Sequence, residues 1–209
     1  MQTAPQIIPS ETTNPDAGTR LRGLAHRLAK THDAILDPER TRHLPRVLLP
    51  GMFLSGRDSG NISQPKRTDL LKDLLSWEQA LRSANAIFKS MPAKDLPVSR
   101  AAEWMLDNFY VVKQTLRQID EDLPASFLNQ LPILAGTSLQ GHSRVFALAR
   151  EWIGYSQSQI DLLQTAAFVQ EYQQVTPLTI GELWALPIML RIGILERLVY
   201  AAAELTGIN

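Results

Sequence analysis

The run TIGELWALPIMLRIGILERLVYAAAELT, residues 179–206, decides the fold. Its first four residues, Thr179-Ile-Gly-Glu182, have the spacing of a capping box, in which a threonine and a glutamate satisfy each other's backbone N–H groups at a helix start. Leu183, Trp184, Leu186, Ile188, Met189, Leu190, Ile192, Ile194, Leu195, Leu198 and Val199 then leave the helix almost no polar side. A helix that is apolar all round belongs at the centre of a bundle or against another domain. Pro187 removes a backbone donor and should kink the helix about two turns in. Pro187 and Arg191 also interrupt the apolar stretch Leu183 to Leu195, which is too short for the roughly 20 residues that span a bilayer. A buried core helix is therefore expected, with no membrane span in this chain. Arg191 falls on the same side as Trp184, Leu195 and Leu198, and a buried guanidinium requires a partner. The candidates are Glu103, Asp107, Glu151 and Glu182.

Outward from this helix the chain continues in helices. Ser158-Gln-Ile-Asp161 is a second capping-box spacing and opens a helix to Gln174. Ser143 starts a helix to about Tyr155, after the turn-rich loop Pro132 to His142. Pro124 suits the first turn of a short helix to Leu131. Ser99 caps a helix running to about Glu121, and Thr68 caps another over Asp69 to Ser90. His43 to Lys66, with Pro45, Pro50, Gly51, Gly56, Gly60 and Pro65, reads as loop or linker. Residues 20 to 36 regain helical spacing with basic residues interleaved. Residues 1 to 18 are rich in Pro, Thr, Ser, Asn and Gln and read as a disordered tail. No period-two run of β-branched residues exceeds four. The expectation is an all-α, multi-helix bundle with a disordered N-terminal tail. It divides into a tail (1–18), a helix with a Pro/Gly-rich linker (19–67) and a helical domain (68–209).

Composition removes several function classes. Lys and Arg number 21 against 21 Asp and Glu, so the chain lacks the basic excess of a nonspecific nucleic-acid binder. It has no cysteine, which excludes disulfides, zinc-thiolate sites, iron–sulfur clusters and cysteine nucleophiles. Met1 to Asp16 has no positive charge and no apolar core, unlike a secretory signal. His26, His32, His43 and His142 are scattered without ligand spacing, although the first two share a basic helix. There is no Gly-rich phosphate loop and no nucleophile elbow. Asp120-Glu121-Asp122 resembles a metal-holding acidic triplet, but it ends a helix before Pro124 and reads as a solvated terminus.

The helix faces supply the candidate residues. On the Ser99 helix, Ala101, Trp104, Met105, Phe109, Val112, Leu116 and Ile119 form one broad apolar arc. Asn108 falls in the middle of that arc, where an unsatisfied amide would cost about 1–3 kcal/mol. Glu103 and Asp107 stand one turn apart on the opposite face, either as a solvated pair or as carboxylates for acid–base work. Every tryptophan has a carboxylate within two residues: Trp77-Glu78, Glu103-Trp104, Glu151-Trp152, and Glu182 with Trp184. Sugar sites are often lined this way, although a core Trp beside a surface Glu is commoner.

Several blocks match a known family in order. AAEWMLDNF at 101–109 resembles the AAEWLLDN(F/Y) signature of cyclic β-1,2-glucan synthases. QIDEDLP at 118–124 and QLP at 130–132 look like the next blocks. GHSRVFALA at 141–149 is similar to G-x-x-R-V-Y-x-L-A, and QVTPLTIGELWALPIMLR at 174–191 is similar to V-x-P-L-T-I-G-E-L-W-A-x-P-x-M-L-R. The matched region spans roughly residues 75 to 205 and leaves 1 to 67 weakly matched.

The resemblance is to the N-terminal cytosolic part of long inner-membrane glycosyltransferases that polymerise and cyclise glucose from UDP-glucose and trim it with a phosphorylase-like domain. Since the transferase motifs lie outside the matched region, it implies no catalytic residue, metal or cofactor in this chain. It implies a non-catalytic helical module, or a fragment of such a synthase, that supports or docks onto the transferase domain or subunit. The expected location is cytoplasmic, at the inner membrane if attached to a synthase. Asn108, Arg144, Glu182, Trp184 and Arg191 are expected to form a buried polar network tying three helices together. β-1,2-Glucan is a further candidate partner, and nucleic acid is not. The alternatives are a small stand-alone carbohydrate-active protein using Glu103 or Asp107 with Glu182, and a glucan-binding protein without chemistry.

Overall fold

A computed structural model of the 209-residue chain describes residues 15–32, 35–36, 70–91, 100–134 and 139–207. Among these residues the helices are α1 (Pro15–His32), α2 (Leu70–Ser90), α3 (Arg100–Asp122), α4 (Ala125–Leu128), α5 (Arg144–Tyr155), α6 (Leu162–Gln173) and α7 (Ile180–Thr206). The two strands, β1 (Ile35–Leu36) and β2 (Ile133–Leu134), pair antiparallel with Ile35 opposite Leu134 and Leu36 opposite Ile133. The all-α bundle is thus the observed architecture.

The ends of the helices follow their chemistry. Thr179 caps α7 with the full reciprocal box: Thr179 Oγ1 accepts from the Glu182 N–H, and the Glu182 carboxylate accepts from the Thr179 N–H at 2.8 Å. Gly207, at φ 69°, closes the helix in the left-handed region that favours glycine. α6 starts three residues later than the sequence spacing suggests. Asp161 is the working cap and accepts from the Gln164 N–H at 2.8 Å, while Gln157 and Ser158 hold positive φ in the preceding turn. α1 begins at Pro15, so 15–18 are helical rather than part of a tail; proline at a first helical position gives up a donor that would have no intrahelical acceptor. The remainder of the expected tail (1–14), the linker 43–66 and the caps at Thr68 and Ser99 lie outside the described residues.

α7 runs through the centre and packs against α5, α2 and α3. It buries Ala185, Ile188, Met189, Leu190, Ile192 and Leu195. Pro187 is on its exposed side, so the carbonyl four residues back is left towards water. The helix most completely enclosed is α5, with eight of its twelve residues buried. Gly193 permits its close approach to α7: a Cβ there would meet Ile153 Cγ1 at 3.3 Å and the Arg150 Cα at 3.8 Å. Trp152 on α5 stacks on Phe168 of α6 at 4.7 Å between ring centroids and donates its indole N–H to Thr165 Oγ1 at 3.0 Å.

α1 belongs to the same core. Ala25 and Ala29 are fully buried, and Thr176 Oγ1 donates to the Ala29 carbonyl at 3.2 Å. Arg22 and His26 both reach Glu171 of α6, at 3.1 and 3.2 Å. β2 is fastened to the start of α5: the Leu134 N–H donates to the His142 carbonyl, and the Gly141 N–H donates back to Leu134, both at 2.9 Å. Gly141, at φ 86°, makes that turn. The entry to α5 and the entry to α7 are thereby held beside the end of α1, and the functional candidates gather there.

Candidate functional site: a buried ion pair beneath an apolar helix start

Arg144 is the first residue of α5 and is 1% exposed; Glu182 lies in the first turn of α7 and is 0% exposed. The guanidinium grips the carboxylate with both arms: Nε donates to Oε1 at 2.6 Å and Nη2 to Oε2. Nη2 also donates to the Pro177 carbonyl at 3.1 Å. Oε2 further accepts from the Thr179 N–H at 2.8 Å and the Thr179 hydroxyl at 3.0 Å. The Arg144 backbone N–H donates to the Pro132 carbonyl at 2.8 Å. One arginine therefore ties the segment after α4, the connection from α6 and the start of α7. A bidentate pair of this kind is among the stronger charge-assisted contacts. Its geometry offsets the cost of taking both ions out of water, and removing one partner alone typically costs about 3–5 kcal/mol.

His32, in the last turn of α1, is 3% exposed and lies within the field of this pair. Its Nδ1 shares a 3.0 Å hydrogen bond with the Tyr172 hydroxyl of α6. Burial first, and the Arg144 guanidinium second, lower its pKa from 6.5 to about 4, with Glu182 pulling the other way. The imidazole is neutral at pH 7. A second ion pair joins α5 and α7: Arg150 Nε to Glu196 Oε2 at 2.9 Å. Glu196 is nearly buried, and desolvation raises its pKa above the usual carboxylate value, with Arg150 opposing.

The expected five-residue network does not form. Only Arg144 and Glu182 come together. Arg191 is 43% exposed in its side chain and pairs with Asp122 at 3.4 Å, a partner outside the four candidates. Asn108 is half-buried and donates to the carbonyl of Trp104, one turn back on its own helix. Trp184 is 76% exposed. For Asn108 the reason is the narrowness of the seam α3 buries. Ala102, Met105, Val112 and Ile119 form a three-four spaced stripe, and Trp104, Asn108 and Val111 lie to one side of it. Glu103 and Asp107 are exposed on α3, whereas Glu182 is sealed inside, so the carboxylates proposed for acid–base work are not assembled. Sequence reasoning missed His32 and Tyr172, whose only signal was the two histidines on one basic helix.

Above the ion pair the first turns of α7 present Ile180 (74% exposed), Leu183 and Trp184 to solvent. Phe127 of α4 and Leu131 back onto this helix start, each 3.8 Å from where a Gly181 Cβ would stand. A large exposed tryptophan beside an exposed isoleucine, on a helix start pinned by a buried pair, is a rigid apolar surface suited to recognition. Among the described residues there is no group of three or more His, Asp or Glu placed to hold a metal, and no helix is long and apolar enough to cross a membrane.

No protein-family model matches the chain. Over 103 residues, 48% of its length, the chain is 38% identical to the cyclic beta-(1,2)-glucan synthase NdvB of Rhizobium meliloti (strain 1021). The match spans 4% of that relative's length. This supports a distant relationship to that synthase.

Proposed function

We propose that this chain is a non-catalytic helical module that docks onto the transferase part of a cyclic β-1,2-glucan synthase. The single observation that carries this is the placement of Ile180 and Trp184. They sit in a block, residues 174–191, that resembles the synthases, yet they face solvent, while Glu182 between them is committed to holding Arg144. A residue pattern with one member locked inside and two outside fits a docking surface on a fixed base. The alternative, a carbohydrate enzyme using Glu182, has less support, because a sealed carboxylate with four donors has no access to a sugar. The distant relationship to NdvB supports a partner concerned with glucan assembly.

The test is surface plasmon resonance between the full chain and a purified transferase region of a cyclic β-1,2-glucan synthase. Ile180→Ser with Trp184→Ala is expected to weaken binding by about tenfold or more, the loss typical of an interface anchor, with an unchanged melting temperature. Undiminished binding by the double variant overturns the docking surface. Turnover of UDP-glucose by the chain alone overturns the non-catalytic assignment.

A further inference from the structure

A second surface lies on a different part of the bundle. The N-terminal half of α2 and the C-terminal half of α3 diverge to leave an open groove of about 910 Å³. Its floor is Leu71, Leu74, Leu116 and Ile119, while Leu75 (61% exposed) and Tyr110 (64% exposed) stand free on its two walls. The lining runs from Leu71 to Arg82 on α2, about 16 Å or three helical turns. An apolar floor of that length between two helices has the dimensions that accept a third.

The charges along the rim select what that helix carries. On the α2 wall, Glu78 and Arg82 are closed on each other through two hydrogen bonds. On the α3 wall, Lys113 and Arg117 are one turn apart and give a cationic ridge. Lys113 joins no ion pair among the described residues; its ammonium lies 5.9 Å from the Phe109 ring centroid on its own helix. Arg117 comes only within 3.9 Å of Glu121, and both side chains are more than half exposed, so that contact holds it weakly. On the α3 wall Asp120 adds a negative charge to the lining, at the C-terminal end of the ridge.

We propose that this groove receives an amphipathic helix of a partner, apolar along the face that meets Leu75 and Tyr110 and bearing carboxylates along the flank that meets Lys113 and Arg117. A cation at one end of that helix faces Asp120 and fixes its direction. The apolar contact supplies most of the affinity, and the rim charges supply the choice of partner. This proposal does not depend on the glucan-synthase reading, because it uses none of Ile180, Leu183 or Trp184.

The experiment uses the full chain and two synthetic peptides of about 16 residues with leucines at helical spacing, one with glutamates and one with lysines on the flank. Fluorescence anisotropy is expected to show saturable binding of the glutamate peptide, at least about fivefold tighter than the lysine peptide and weakening with salt. Leu75→Asp, at an exposed position, is expected to weaken it about tenfold without moving the melting temperature. Lys113→Glu with Arg117→Glu is expected to reverse the preference. Equal affinity for both peptides, or binding indifferent to Leu75→Asp, overturns the proposal. So does a wild-type dimer that Leu75→Asp converts to monomer, since the groove would then serve a second copy. Absence of binding by either peptide, with slow hydrogen exchange along the α2 and α3 rims, also overturns it, because the groove is then already filled.

Discussion

Two of the arginine–carboxylate contacts that α7 makes, one at its start and one farther along, differ in almost everything except their chemistry. Arg144 and Glu182 are closed to solvent, share two hydrogen bonds and recruit Pro177 and Thr179. Arg191 and Asp122 meet at 3.4 Å, with side chains 43% and 54% exposed. In the first pair each ion is desolvated and depends on the other. In the second each ion keeps its water and gains little from the contact. The difference teaches that the pair at the helix start is structural, while the pair farther along decorates the rim of the bundle.

The largest expected effect breaks the buried side of that comparison. Glu182→Ala strips the enclosed guanidinium of its carboxylate and removes half of the capping box. It should lower stability by about 3–5 kcal/mol in urea or thermal unfolding. The double variant Arg144→Met with Glu182→Leu should be distinctly milder than Glu182→Ala alone, because no charge is then left inside. A double variant as damaging as the single one would show that the charges themselves, and not the pairing of buried ions, hold α5 to α7.

His32 sharpens the same comparison through pH. Its folded pKa lies below its unfolded value of 6.5, at about 4. Between those values the unfolded chain binds the extra proton, so stability rises with pH through that window and is lost as pH falls from 6.5 towards 4. The shift corresponds to about 3 kcal/mol when complete. Below pH 4 both states are protonated and no further loss arises from this group. Glu196 acts in the opposite sense. Its folded pKa is raised, so its contribution weakens as pH rises above the ordinary carboxylate value. Chemical denaturation of His32→Gln against the parent, across pH 4 to 7, isolates the histidine. An unchanged pH slope would mean that His32 is not held neutral.

The smallest effect lies on the exposed side. Arg191→Leu should change stability by less than about 0.5 kcal/mol, measured by thermal melting. A loss of several kcal/mol would mean that Arg191 and Asp122 act like the buried pair.

Much of the helical framework was legible because local chemistry specifies it. Thr179 and Glu182 announce a capping box three residues apart, and the apolar run after them announces a central helix. Ser143 marks the start of α5, although its side chain makes no capping hydrogen bond. At Ser158 the helix starts later than the box spacing predicts, because Asp161 is itself a strong cap. The candidate site was legible in composition and not in arrangement. The sequence marks out both Arg144 and Glu182, but a helix wheel puts Arg191 and Trp184 in the interior, and they stand outside. A wheel gives which residues share a side and not which side a neighbour covers.

Sequence by itself determined that this chain makes helices, where several of them start, and that its last helix is too apolar to stand alone. These follow from backbone capping and from periodicity, which act over a few residues. Only the tertiary structure decided that α1 joins the core, that His32 ends beside the Arg144–Glu182 pair, and that Ile180 and Trp184 face water. Those outcomes depend on contacts between residues more than a hundred positions apart, such as His32 with Tyr172, and burial is a property of the whole packed set of helices.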